Sequence, residues 1–252
     1  IKSKKLSRFK YIRHAFFNKS GGNSNGIYES LNCGLDSLDK KNIVKKNLNV
    51  VKKKIRISSK KIVLLKQVHS NKLYFIDKKT NFRNILMKGD ALITNQKQIP
   101  LGVLTADCAP ILLYDDNKKI IAAIHAGWKG ALKGIVQNVV KFMHKKGCLS
   151  KNITAAIGPC ISIKNYEVKQ DFIKKFIYKD KKNKIFFKKI KNRRFFSLSK
   201  YIHFQLKLLN INKIDIIKKD TFSLRNNFFS ARRSISRNEN DYGRNISIIM
   251  IN

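Results

Sequence analysis

The sequence predicts a mixed α/β domain with strands and helices interleaved along residues 1–252. Two observations lead there. Short apolar runs of strand length, bounded by Gly, Pro, Asn or Asp, recur from residue 61 to residue 251. Between them lie segments whose apolar residues repeat at steps of three and four, the helical period. Only 3 Pro and 12 Gly are spread over 252 residues, so no linker divides the chain. One domain is expected, long enough to bury a sizeable core.

Taken in order, residues 16–35 read as a loop that approaches a ligand, because Gly21, Gly22, Gly26 and Gly34 stand among polar residues. A helix is predicted over 42–55, with Ile43, Val44, Leu48, Val51 and Ile55 on one face. Residues 61–68 form an apolar run of strand length ending at His69, with 73–77 as its hairpin partner. Strands follow at 91–94 and 99–105, the second leading into Ala106-Asp107-Cys108. Residues 111–114 resume an extended pattern after Pro110, and 119–124 form a buried strand ending at His125. Gly127 to Gly130 then turn the chain into a helix whose core stripe is Leu132, Ile135, Val136, Val139, Val140 and Met143. Further strands are expected at 153–157, 214–217 and 246–251, and helices at 166–177 and 199–209. The Lys-rich residues 179–191 read as a solvated loop or irregular strand.

The net charge is +40. Clustered lysines would indicate nucleic acid, since they release phosphate counterions. Here Lys accompanies abundant Asn and Ile, the residues AT-rich codons supply, and basic residues occur in every segment. The charge is therefore read as solvated surface, and nucleic acid is not an expected partner. No apolar stretch has the length of a signal h-region or a membrane span, so no membrane partner is expected. Cys33, Cys108, Cys148 and Cys160 form no Cys-x-x-Cys pair, which favours reduced thiols and a cytoplasmic setting.

His69, Cys108 and His125 each follow an apolar strand and precede a turn, where side chains are presented to ligands. Imidazole nitrogen and thiolate sulfur suit tetrahedral zinc, and a catalytic zinc keeps its fourth position open. The separations of 39 and 17 residues match no local signature. Two other readings stand beside the metal: buried structural residues, or a Cys108 nucleophile with His125 as its base. Asp107 is either a turn residue or a carboxylate that orients its neighbours and shuttles a proton. Gly127, Gly130 and Gly134 fit a phosphate cradle or tight strand-to-helix packing equally well. Arg232 and Arg233 stand out because Arg is scarce relative to Lys, and planar forks hold phosphate bidentately.

Several motifs together carry a resemblance. They are His14-Ala15-Phe16-Phe17 with Gly21-Gly22 and Ser30-Leu31-Asn32-Cys33-Gly34, then Gln67-Val68-His69, Gly89-Asp90-Ala91 and Thr105-Ala106-Asp107-Cys108-Ala109-Pro110. His125-Ala126-Gly127-Trp128, Gly158-Pro159-Cys160, Tyr166-Glu167-Val168, Phe228-Phe229-Ser230 with Arg232-Arg233, and Gly243-Arg244 complete the set. The chain resembles the laccase-domain, or polyphenol oxidoreductase, family, whose bacterial members are also described as purine nucleoside phosphorylases and as peptidoglycan editing factor. The resemblance implies β-sheets flanked by helices and one zinc on His69, Cys108 and His125. It implies phosphorolysis of adenosine, guanosine, inosine and methylthioadenosine, and deamination of adenosine. In that scheme Asp107, Cys108 and His125 serve the chemistry, while Lys19, Arg232 and Arg233 hold phosphate. Hydrolysis of a cell-wall precursor is the second enzymatic reading, and a basic nucleic-acid- or anion-binding protein with a structural metal is a third. Copper is not expected, because multicopper centres need many histidines and the chain has five. The chain departs from the family pattern at Lys19, usually Arg, at Ala231, usually aromatic, and at Asp220-Thr221, usually Cys-Thr.

Overall fold

The apolar runs in the middle of the chain are strands buried on both faces. The computed structural model of the protein describes residues 1–58, 61–77 and 87–252. Its strands are β1 (Ile12–Phe16), β2 (Leu73–Ile76), β3 (Ala91–Thr94), β4 (Leu101–Thr105), β5 (Ala109–Asp115), β6 (Ile120–Ala126), β7 (Ile153–Ile157), β8 (Phe187–Ile190), β9 (Arg193–Phe196), β10 (Lys213–Ile216) and β11 (Asn245–Ile251). The helices are α1 (Lys41–Lys54), α2 (Trp128–Leu132), α3 (Ile135–Lys145), α4 (Gln170–Lys179), α5 (Leu198–Leu208) and α6 (Ala231–Ser236).

A six-stranded mixed sheet runs β10-β7-β5-β6-β3-β2, and a three-stranded antiparallel sheet runs β1-β11-β4. Side chains alternate across each strand, so every strand serves two layers. On one face of the large sheet, Ile111, Leu113, Ala122 and Ile124 pack with Val136, Val139, Val140 and Met143 of α3 and with Ile202 and Leu206 of α5. On the other, Leu112, Tyr114, Ile121 and Ala123 meet Leu101, Val103, Ile249 and Ile251 of the small sheet. The far face of β11 carries Ile246, Ile248 and Met250 onto Val51 of α1. Helix, sheet, sheet and helices therefore stack as four layers. The predicted mixed α and β architecture is the observed one.

The structure corrects four elements. Residues 61–68 are not a strand. They run extended past the small sheet, touching it through an isolated bridge at Val63–Leu101, with a second bridge at Lys66–Lys88. Residues 73–76 are accordingly no hairpin partner; β2 pairs in parallel with β3. The helix predicted after Gly127 is two helices, because Gly134 takes a left-handed φ of +87° between α2 and α3. The helix predicted from 166 begins at Gln170, since residues 166–168 pair with β9 instead: Phe196 N–H donates to Tyr166 O at 3.0 Å and Val168 N–H to Arg194 O at 2.8 Å.

Candidate metal centre

Strand order alone brings three of the site residues together. The antiparallel register of β5 and β6 places Pro110 opposite His125, so Cys108, one residue before β5, arrives beside the end of β6. On the other side of β6, Ala91 faces Ile124, and the His125 N–H donates to Asp90 O at 2.8 Å. Cys108, His125 and Asp90 thus sit side by side at one edge of the sheet. His69 comes from the extended segment that crosses it.

One carboxylate organises both histidines. Asp90, fully buried, accepts the His125 Nδ1–H at 2.8 Å and the His69 N–H at 3.0 Å on the same oxygen. Its other oxygen accepts the Ser70 N–H and hydroxyl, both at 2.6 Å. These donors hold His69 in a left-handed backbone conformation, φ +57°, and wrap residues 68–70 around the carboxylate. Burial alone would raise the Asp90 carboxyl, but the hydrogen bonds from His125 and Ser70 bring it below the usual range, so it stays ionised. With Nδ1 committed to Asp90, Nε2 is the nitrogen of His125 left to face a metal, which would displace any proton it carries.

The donor atoms of His69, Cys108 and His125 lie within 4.8 Å of one another. Cys108 Sγ is 3.6 Å from His69 Nε2, and the two imidazoles meet edge to face at 4.8 Å between ring centroids. Burial opposes the Cys108 thiolate, yet the charge of His125 and hydrogen bonds from both histidines lower the thiol well below its ordinary value. Gly127 makes the cluster possible: a Cβ there would lie 2.5 Å from His69 Cδ2 and 2.9 Å from Cys108 Sγ. Two nitrogens and one thiolate at this spacing, with a carboxylate behind one imidazole, fit a borderline-soft divalent ion.

His69, Cys108 and His125 line a cleft of about 240 Å³ walled by residues 34–36, the extended segment at 64–67, the end of β4 and Tyr242 and Arg244. Its walls include Asp36, Tyr242 and Arg244. The Arg244 guanidinium donates to Asp241 Oδ1 at 2.8 Å and lies 4.0 Å from the centroid of the Tyr242 ring. Sequence reasoning gave neither Asp90 nor Arg244 a role, although Gly89-Asp90-Ala91 and Gly243-Arg244 were both on view as motifs.

The other sequence candidates fall outside the cleft wall. Asp107, at φ +84°, accepts the Thr221 hydroxyl at 2.7 Å, the Ser230 hydroxyl at 2.9 Å and the Arg232 N–H at 2.7 Å. Burial raises its carboxyl despite these bonds. It pins the start of α6. Arg233 is buried and donates to the carbonyls of Thr221, Phe222 and Phe228, which commits three of its five N–H groups to the backbone. Arg232 donates to Glu167 O at 3.0 Å and lies over the Tyr166 ring. Lys19 joins the loop through its backbone, to Asn227, Ser30 and Leu31. Asp220, where the family pattern has Cys, accepts the Ser162 N–H and hydroxyl and the Asn165 amide, fixing the 162–165 loop.

Residues 13–252 match the family described as multi-copper polyphenol oxidoreductase laccase. The chain belongs to that family. It is 34% identical over 237 residues to a Rickettsia conorii protein named purine nucleoside phosphorylase RC0672, covering 93% of this chain and 94% of that one. A Bacillus subtilis protein, purine nucleoside phosphorylase YlmD, is 33% identical over 166 residues, 63% of this chain and 60% of its own. Among solved structures, Neisseria meningitidis NMB0706 superposes with a TM-score of 0.85 at 26% identity, over 97% of this chain and 96% of its own. Bacillus licheniformis YfiH gives 0.86 at 26% identity, over 96% and 93%.

Proposed function

We propose that this chain is a zinc-dependent purine nucleoside phosphorylase acting on adenosine, guanosine, inosine and methylthioadenosine, with adenosine deamination as a second activity of the same site. The observation that carries the reading is the His69–Cys108–His125 donor set at the base of an open cleft. The name of the Rickettsia conorii relative, similar over nearly the whole chain, supports the substrate class. Zinc is favoured over copper by the donor chemistry and by the remaining histidines. His14 accepts the Ser3 N–H, His144 meets Ser150, and His203 lies in α5, so none joins the cluster. Zinc held by His69, Cys108 and His125 would supply Lewis acidity there.

The chain's own groups supply the rest. Arg244, pre-set by Asp241 and the Tyr242 ring, replaces Arg233 as the cation that holds phosphate in the cleft. In phosphorolysis a phosphate oxygen bonds to the ribose C1′ as the C1′–N bond breaks; its electron pair leaves with the purine, which takes up a proton. Asp36 is the carboxylate at the cleft wall suited to accept ribose hydroxyls, whereas Asp107 is held by three donors of its own. The free thiols of Cys33, Cys108, Cys148 and Cys160 support a cytoplasmic setting. No helix of the described residues is long and apolar enough to cross a membrane.

The test incubates zinc-replete protein with adenosine, with and without phosphate. Phosphate-dependent release of adenine marks phosphorolysis; inosine formed without phosphate marks deamination. Absence of turnover on every one of the four nucleosides overturns the reading.

A further inference from the structure

The positive charge is not evenly spread. Residues 174–194 hold eleven Lys and Arg against one acid, Asp180, a net +10 in 21 residues. At the mean density of the chain, +40 over 252, this length would carry only about +3. Residues 40–61 are nearly as basic, +10 over 22 residues, so charge alone does not single out 174–194; its exposed apolar side chains do.

The segment has two sharply different sides. Phe176, Phe186 and Phe196 are buried in an aromatic cluster, with Phe176 and Phe196 at 4.7 Å between ring centroids. The buried Asn183 side chain ties the end of α4 to the next turn by donating to Phe176 O at 2.8 Å. β8 and β9 then form a hairpin whose base, Phe187 opposite Phe196, belongs to the same cluster. All eleven cationic side chains are exposed. Among them stand three apolar side chains open to solvent: Tyr178 at 97%, Ile185 at 68% and Ile190 at 44%. Ile190 ends β8 at the hairpin turn, opposite Arg193 and between Lys189 and Lys191.

We propose that α4 and the β8–β9 hairpin form a docking surface for an anionic phospholipid membrane. Lysines near a negative leaflet are attracted within roughly a Debye length, about 8–10 Å at ordinary salt. Nine of the eleven cations are Lys rather than Arg, giving diffuse positive charge without the planar forks that read phosphates one by one. A sugar-phosphate backbone offers Tyr178, Ile185 and Ile190 little to bury against. An acyl boundary does, and basic side chains around exposed apolar ones are the pattern of interfacial binding. Such docking is peripheral and needs no spanning helix.

The experiment floats the full chain with vesicles of phosphatidylcholine alone or mixed with phosphatidylglycerol, at low and high salt. Wild type binds the anionic vesicles and not the neutral ones, and salt weakens the binding. Lys188→Glu/Lys189→Glu/Lys191→Glu reduces binding by at least about tenfold, as does loss of several interfacial charges generally. A control reversing exposed Lys41, Lys45 and Lys46 on α1 makes the same change in net charge and leaves most of the binding. Ile190→Ser reduces binding at high salt, where the apolar contact remains. Thermal melts of each variant verify the fold. The proposal is overturned by absence of binding to anionic vesicles at low salt, or by equal loss in the α1 control, which would make the effect one of total charge. Tighter binding of the wild type to an RNA duplex than to vesicles, abolished by the hairpin variant, overturns it in favour of nucleic acid.

Discussion

Nδ1 of His125 donates to Oδ1 of Asp90 across 2.8 Å, and that same oxygen takes the backbone N–H of His69. Two of the three candidate ligands therefore depend on a residue outside the donor set. Asp90→Asn keeps the shape but loses the charge and one acceptor. It is expected to weaken zinc affinity by about 10–100-fold, the usual effect of removing such a partner. Competition against a chromogenic chelator measures it, and unchanged affinity would separate Asp90 from the metal.

Cys108→Ala removes the thiolate and should reduce bound zinc from near stoichiometric to a trace, read by elemental analysis of purified protein. A metal-free wild type that turns over nucleosides fully and is alkylated rapidly at Cys108 would instead favour the covalent nucleophile.

Gly127→Ala tests the packing of the cluster. The added methyl would overlap His69 and Cys108 at 2.5 and 2.9 Å, so one of them must shift. Overpacking of this kind costs about 1–3 kcal/mol. The expected outcome is lower zinc affinity with a modest fall in Tm; wild-type affinity would mean that the site relaxes freely.

Arg233 and Arg244 should fail in opposite ways. Arg233→Lys leaves buried carbonyls of Thr221, Phe222 and Phe228 without a donor and should destabilise by about 2–3 kcal/mol. Arg244→Ala should raise the KM for phosphate with a much smaller change in Tm. The reverse pattern would return the phosphate to α6.

The pH dependence of stability has an identifiable contributor at His14. Burial, then the nearby Lys2 charge, lowers its pKa from 6.5 to about 4. The folded protein binds this proton more weakly than the unfolded chain. The stability due to His14 is thus complete above pH 6.5 and is lost as pH falls toward 4, up to about 3 kcal/mol. In His14→Gln, whose amide oxygen can still accept the Ser3 N–H, denaturant unfolding should show a shallower loss across that window. An identical slope in both proteins would remove His14 as its cause.

What could be read from the sequence follows burial. Residues 91–94 and 153–157 were located to the residue because both faces of those strands are covered, and their apolar runs end where burial ends. β1 and β9 escaped notice, and β8 was legible only as part of a solvated loop or irregular strand over 179–191. Ile-Arg-His-Ala-Phe breaks the apolar pattern with a histidine that the fold buries, and the hairpin presents its cations to solvent. Cys108 and His125 stand at strand ends as the sequence suggests, whereas His69 follows an apolar run that the fold leaves outside any strand. The Asp90 role was not visible, because its donors come from a loop twenty residues earlier and a ring across the sheet. The backbone contacts of Arg233 were equally hidden, because only the fold brings the three carbonyls to it.

β11, the last strand in sequence, lies between β1 and β4 in the small sheet. A chain growing from its N-terminus can therefore assemble His69, Cys108 and His125 while that sheet still lacks its middle. Until residues 245–251 emerge, β1 and β4 have no common partner, and Asn245 cannot bridge Thr105 and Phe229. Arg244, immediately before β11, arrives equally late. Synthesis thus completes the candidate ligand set, and the cleft walls at residues 34–36 and 64–67, well before Tyr242 and Arg244 close the remaining side. A chain stalled or clipped before residue 242 would present the candidate ligands in a cleft that lacks Tyr242 and Arg244.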